Sequence, residues 1–500
     1  MSIWLTPEQL ARTRPAERTD FASPVPTRVV SNGEWVPPPQ SRGQKRVEQA
    51  LAEVAERNGR RLGLSRRDFL RTSAGMAAAF VAMNQVYGAL FDVDPAEAAD
   101  PGAAKQRLEQ LARQPIIDVQ LHFVRDDFAW DGILALGEYA KHWNPILEKE
   151  GVTMQRYKFD NFLKEVFLDS QTRVGLVSSA PSDNPHNVIC GNDDLARART
   201  IVNGIAGTRR LMCHAVIAPG QKGWLDGIDR AIETVRPDGW KGYTVGDPLA
   251  HSEFPWRMDD EKLMYPAYEK IQKSGIRNVC IHKGLMPADY EKSFPHWRYA
   301  MVDDVAKAAK DWPGLNFVIY HAGLKPFLMP PDESLAQFEK KGRMDWVTDL
   351  AEIPGKHGVT NVYAEIGTSF ASSAVTHPRH AAAFLGTLIR GMGSDHVIWG
   401  TDSVWYGSPQ WQIEAMRRIE IPEDMRKKHG FEPLGPADGL VKSAIFAYNA
   451  SRVYAVDLTP SAVAVLDGDG LAAMRREYLA AGAAPSNLAY GFVAKGDGNG

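Results

Sequence analysis

From Ile116 onward, short apolar and β-branched runs recur at Ile116–Val124, Arg173–Ser179, Leu211–Ala218, Trp240–Val245, Asn278–His282, Asn316–His321, Asn361–Ile366 and His396–Thr401. Their length and residue types predict strands. Stretches with helical spacing separate them, among them Asp193–Ile205, Trp224–Val235, Asp259–Ser274, Tyr299–Asp311, Pro378–Gly391 and Pro409–Ile419. Eight strands alternating with helices over about 290 residues predict an α/β fold, a (β/α)8 TIM barrel spanning 115–457. An open doubly wound sheet would carry a Gly-rich turn after its first strand, and none follows Ile116–Val124. Gly439–Asp457 predicts a helix closing on the barrel. In the remaining segment, 458–500, Leu471–Ala480 predicts one more helix and Gly496–Gly500 a frayed end.

The pattern before the barrel differs. Pro, Arg, Ser and Thr are frequent up to about Gly43, and Pro24–Gln40 holds five prolines. Such a stretch buries too little apolar surface to offset its ordering entropy, so 1–63 is expected to be a disordered leader, with a mobile charged helix at Arg46–Arg61. Ser65–Arg71 then reads S-R-R-D-F-L-R, followed by a mild apolar run, Ala74–Phe91, and by Ala96-Glu97-Ala98. Segment 64–98 resembles a twin-arginine export signal. The resemblance implies the twin-arginine machinery as a partner, cleavage near Ala98 and a periplasmic or extracytoplasmic location. The competing reading is an amphipathic helix with a basic start.

Composition narrows the function classes. Hydrophobic residues make up 44% and charged residues 24%, ordinary for a globular chain. A net charge of −3 gives no support for nucleic-acid binding. The three cysteines, Cys190, Cys213 and Cys280, form neither a disulfide framework nor a C-x-x-C zinc pair, and they fit folding before export. No apolar run predicts a membrane span.

The candidate chemistry sits at strand ends. Asp118, Gln120 and His122 are spaced two apart, so a regular strand points them to one face and Val119, Leu121 and Phe123 to the other. His282 ends the fifth run, His321 the sixth, and Asp402 follows the eighth. Barrel enzymes build their sites at the C-terminal ends of the strands.

The motifs D-V-Q-L-H at Asp118–His122, C-I-H-K-G around His282, Y-H-A-G at Tyr320–Gly323, W-G-T-D-S at Trp399–Ser403 and Y-N-A-S-R at Tyr448–Arg452 carry a resemblance. The chain resembles the amidohydrolase superfamily, in the amidohydrolase-related branch that includes the aminocarboxymuconate-semialdehyde decarboxylase-like enzymes. The resemblance implies a divalent metal, zinc or else manganese. Its ligands would be Gln120 and His122 from the family's H-x-H pair, His282 and Asp402. It implies that His321 acts beside the metal as base or polariser and that Asp402 carries the proton. Gln120 departs from the pattern: an amide offers only a neutral carbonyl oxygen, a poor zinc ligand. The metal is therefore expected to rest mainly on His122, His282 and Asp402, and a metal-free member stays an open alternative.

The implied function is hydrolysis of an amide, ester or lactone of a small carboxylated or aromatic substrate. Non-oxidative decarboxylation of an aromatic or unsaturated acid is the alternative, and a catalytically degenerate binding barrel a second one. A homodimer is compatible with either enzyme. Secondary candidates are Lys241 as a carboxylated bridging lysine or a structural strand lysine, Glu365 as a second acid, and His214 as a packed residue. Substrate contact is open to His251, His296, His377 and His380. Trp256, Trp297, Phe327, Trp405 and Tyr406 suggest an aromatic rim or ordinary loop packing.

Overall fold

The computed structural model describes residues 13–15, 23–29, 39–125, 127, 157–248, 251–286, 290–325, 331–483 and 492–494. Eight parallel strands follow one another in chain order: β1 (Ile117–Leu121), β2 (Val174–Val177), β3 (Leu211–Val216), β4 (Gly239–Tyr243), β5 (Asn278–His282), β6 (Asn316–Tyr320), β7 (Val362–Glu365) and β8 (Val397–Ile398). The chain after β8 returns to β1. Val119 N–H donates to the Trp399 carbonyl at 3.1 Å, Asp402 N–H to that of Gln120 at 2.9 Å, and His122 N–H to that of Ser403 at 2.7 Å. These bonds close the sheet into the TIM barrel expected from the sequence.

The helices form for local reasons. Asn192–Ala206 starts where the Asp194 carboxylate accepts the Gly191 N–H, and it ends at Gly207 with φ 74°. Leu195, Ala198, Val202 and Ala206, three and four apart, are its buried stripe. The helix expected over Asp259–Ser274 begins only at Tyr265, because Pro266 suits the first turn of a helix and not its interior.

Inside the barrel, Ile117, Val119, Val174, Leu176, Met212, Cys280, Val318, Tyr320 and Ile398 pack as one cluster with Ala447, Ala450, Val453 and Tyr454 of the closing helix. The closing motif is structural: Asn449 Nδ2 donates to the carbonyls of Val397 (2.7 Å) and Ser394 (2.8 Å). Val119 therefore does not lie opposite the site residues, as strict alternation predicts. The β1–β2 register shifts between Asp118 and Leu121, and that irregularity lets both Val119 and the next residue, Gln120, serve the interior.

The N-terminal region corrects an expectation. Residues 42–62 are not detached. Arg42–Leu62 is a helix with a Ser41/Gln44 capping box and a left-handed Gly63 at its end. Its stripe of Val47, Leu51, Val54 and Ala55 is buried, and the helix packs against Ser73–Tyr87. The alanine-rich helix Ser73–Tyr87 buries Ala74, Ala77, Ala78, Ala79, Phe80 and Met83. The segment that follows joins the barrel at the helix Gln410–Arg418. Asp92 N–H donates to the Arg418 carbonyl at 2.7 Å, and Glu420 N–H to the Leu90 carbonyl at 2.8 Å. Buried Glu97 pairs with Arg418 at 2.7 Å and with Arg107 at 2.9 Å. Elsewhere, Thr13–Pro15 pairs antiparallel with Phe492–Ala494. Gly496–Gly500 lies outside the described residues. No helix among those described is long and apolar enough to cross a membrane.

Candidate active site

Gln120, His122, His282, His321 and Asp402 are all buried and meet at the C-terminal end of the barrel. Their polar atoms form a chain. His122 Nε2 lies 2.9 Å from Asp402 Oδ1, and Gln120 Nε2 donates to the same oxygen at 3.1 Å. Gln120 Nε2 lies 3.3 Å from His321 Nε2, which lies 3.0 Å from His282 Nδ1.

Two of these residues reach the site through unusual backbone. The inward position at the end of β6 belongs to Tyr320, whose hydroxyl donates to the Val119 carbonyl at 2.6 Å. His321, next in sequence, turns in because φ is 66°, and Ala322 and Gly323 follow at 51° and 63°. Asp402 has φ 61°. Left-handed backbone costs a side-chain-bearing residue on the order of 1 kcal/mol, so the surrounding hydrogen bonds must hold it. One holder is Glu365 at the end of β7, whose carboxylate accepts the N–H of His321 at 3.2 Å and that of Gly367.

Protonation follows from surroundings. His321 Nδ1 donates to the Gly367 carbonyl at 2.9 Å, which leaves Nε2 as an acceptor facing the centre. Burial pushes this ring down to about 4, so it is neutral at neutral pH. Burial and the neighbouring His321 hold His282 well below its ordinary value. Burial alone would raise the Asp402 carboxyl. The His122 hydrogen bond and charge, with help from His321 and Thr368, bring it to about 2. His122 places Nδ1 3.0 Å from the Ser178 carbonyl and Nε2 2.9 Å from Asp402 Oδ1, so both ring nitrogens face oxygen atoms. Beneath the site, burial drives Glu365 up to about 8 and Asp118 up to about 7. Asp118 does not enter the centre. It accepts from Thr401 Oγ1 at 2.5 Å and from the N–H groups of Thr401 and Gln120, and so braces the turn that carries Asp402.

Sequence reasoning passed over Thr368, which donates to Asp402 Oδ2, and Ser178, which orients His122. It also missed Tyr243, whose ring stacks on His282 at 4.5 Å. Each lies at or just past the C-terminal end of a strand, the position that flagged the histidines. Gly367 and Gly400 matter for space: a Cβ on Gly367 would come within 2.1 Å of Gln120 Oε1, and one on Gly400 within 2.0 Å of Glu365 Oε1.

The secondary candidates disperse. His214 is packed one layer below, with Nδ1 3.0 Å from Ser178 Oγ. Lys241 is buried with Nζ 3.3 Å from the centre of the Tyr320 ring, a structural placement. Glu365 faces backbone N–H groups, as described above. His251 is exposed, His296 is half-buried, His377 sits beside Thr376 and His380 beside Ser334. Of the aromatic residues, Trp405 stacks on His122 at 5.9 Å and Trp297 on Trp346 at 6.4 Å, whereas Trp256 and Tyr406 are core. Phe327 lies outside the described residues.

The ligand set expected for a metal does not form a cage. Among the described residues, no three His, Cys, Asp or Glu side chains lie together as a group that could hold an ion. His122 and Asp402 make one pair and His282 and His321 another. The group between them is the Gln120 amide nitrogen, which has hydrogens to donate and no lone pair to give a cation.

A family model described as Amidohydrolase matches residues 117–456. Among solved structures, an uncharacterized TIM-barrel protein from Bordetella bronchiseptica is 15% identical over 68% of this chain and 98% of its own, with a TM-score of 0.43. The 5-carboxyvanillate decarboxylase of Sphingomonas paucimobilis is 17% identical over 69% and 100%, at 0.40. A putative 2-pyrone-4,6-dicarboxylic acid hydrolase from Pseudomonas putida is 14% identical over 69% and 99%, at 0.38. A comparison with curated proteins finds no match. With the family match running from the start of β1 to just past the closing helix, the chain belongs to the amidohydrolase superfamily, in its amidohydrolase-related branch, and is an enzyme of that family.

Proposed function

We propose that this enzyme is a hydrolase that opens an ester, lactone or amide bond in a small carboxylated or aromatic substrate. The state of Asp402 carries the reading. A buried carboxyl held at about 2 is ionised at neutral pH. In that state it accepts a proton from water, which suits activating the water for attack on a carbonyl. So acidic a group is a weak base alone. Neutral His321, with its Nε2 acceptor on the same centre, shares the work of orienting and deprotonating the water. Gln120 and His122, both bound to Asp402 Oδ1, hold the carboxylate in place for that step. The proton taken up passes to the leaving oxygen or nitrogen. Trp405 over His122 and Tyr243 over His282 put flat aromatic faces beside the centre, which suits a ring-bearing substrate.

The test is a product assay on purified protein with aryl esters, lactones, amides and the matching aromatic acids. Hydrolysis without carbon dioxide release is expected, with kcat reduced about 10²–10⁴-fold in both Asp402→Asn and His321→Ala. Carbon dioxide release from the acids alone would move the assignment to decarboxylation. Full activity in Asp402→Asn would remove Asp402 from the chemistry.

A further inference from the structure

We infer that Gln120 stands where an ion would otherwise stand: its amide nitrogen ties the Asp402 carboxylate to His321, and the site is assembled by hydrogen bonds without a resident divalent metal. This concerns how the site is held together and does not depend on the substrate assigned above.

Three observations support it. The amide nitrogen reaches both partners, Asp402 Oδ1 at 3.1 Å and His321 Nε2 at 3.3 Å, and one NH2 group has the two hydrogens needed. The carbonyl of the same amide is turned away from the centre. It is a buried oxygen with no hydrogen-bond partner, lodged where only the missing side chain of Gly367 leaves room. With the amide reversed, its oxygen would face the ionised carboxylate of Asp402 at the same separation, two acceptors with no hydrogen between them. Lastly, the side chains that would ligate an ion are engaged with one another. Asp402 Oδ1 takes His122 and Gln120, its Oδ2 takes Thr368, and His282 and His321 face each other at 3.0 Å. A glutamine at this position thus supplies the cross-link between the two halves of the site that a shared cation would supply through charge.

The inference predicts what Gln120→His should do. An imidazole there restores a lone pair beside His122 and Asp402 and removes the NH2 donor, so the variant should acquire metal affinity that the natural chain lacks. The full chain and the variant are purified without chelator from medium containing zinc and manganese. Bound metal is counted by mass spectrometry, and Tm is read with EDTA, with zinc and with manganese. The natural chain is expected to carry far less than one ion per chain and to melt at the same temperature in all three. Gln120→His is expected to hold close to one ion and to lose Tm in EDTA. One ion per natural chain, removed by EDTA with a fall in Tm, overturns the inference. So does a folded Gln120→His that remains as metal-free as the parent, since Gln120 would then not be what replaces the ion. If the variant does not fold, the natural chain's metal count decides. None of these readouts uses a substrate, so a failed hydrolase assignment and a failed metal-free assignment are told apart.

Discussion

Charge and space are set residue by residue around Asp402 and His321. Glu365 shows how a buried acid serves without titrating at the reaction. Burial moves its carboxyl from an ordinary 4.5 to about 8. Between those values the unfolded chain has released a proton that the folded chain keeps. Its contribution to stability is therefore whole below about 4.5 and declines as pH rises toward 8. Asp118, raised to about 7, acts with the same sign. Replacing Glu365 by Gln gives up one acceptor for the N–H groups of His321 and Gly367, so a lower Tm is expected at acid pH. The fall in Tm across the window should be shallower than in the natural chain, though Asp118 keeps part of it. Thermal melts of both proteins at several pH values check this, and an equal slope in both would show that Glu365 titrates normally.

Among elements, the turns after β6 and β8 do more than join strands. Alternation along β6 assigns the inward position to Tyr320, and only the left-handed step at His321 delivers the imidazole to the centre. The N-terminal helices are likewise more than a leader. The twin-arginine-like stretch Ser65–Arg71 includes Phe69 and Leu70, and both are buried in the core. The Ala98 carbonyl at the sequence-read cleavage point accepts from Asn58 Nδ2 at 2.8 Å, and Glu97 is locked to Arg418 and Arg107. Cutting there would take Phe80 and Met83 out of the core, uncover Arg418 where it lies over the Phe80 ring, and strip the Glu97 carboxylate from two guanidinium groups. A chain beginning at Ala99 is expected to be less stable by more than about 3 kcal/mol, the worth of one to two fully buried large side chains. Denaturant melts of the shortened chain measure the loss, and intact-mass analysis of protein recovered from cells should find residues 42–98 retained.

The whole molecule is a barrel with two unlike ends. The C-terminal end holds the buried polar centre. The interior below it is filled by strand side chains that pack against the closing helix, whose Asn449 binds the backbone around β8. Removing that amide leaves the buried Val397 carbonyl and the half-buried Ser394 carbonyl short of a donor, so Asn449→Ala should cost about 1–3 kcal/mol of stability. Its kcat should stay close to the parent value, because the substitution touches the stabilising end of the barrel. Urea unfolding read beside turnover separates the two effects, and a large loss of kcat at unchanged stability would contradict the division.

Most of this architecture could be read from the residues alone. Alternating strand and helix patterns require layers, and apolar β-branched runs at that spacing fit a closed parallel sheet. His122, His282, His321 and Asp402 stand at strand ends, where a barrel gathers them, and Gln120 was visible as the odd member of its pair. Tertiary structure decided what no local pattern records. Whether Val119 and Gln120 both serve the interior depends on a register shift against a neighbouring strand. Whether residues 42–98 are free or docked depends on Arg418, more than 300 residues away. And whether Gln120 presents its oxygen or its nitrogen depends on what lies opposite, the Asp402 carboxylate on one side and the bare backbone of Gly367 on the other. An amide is both donor and acceptor, and only its partners, brought from β6, β7 and β8, choose between them.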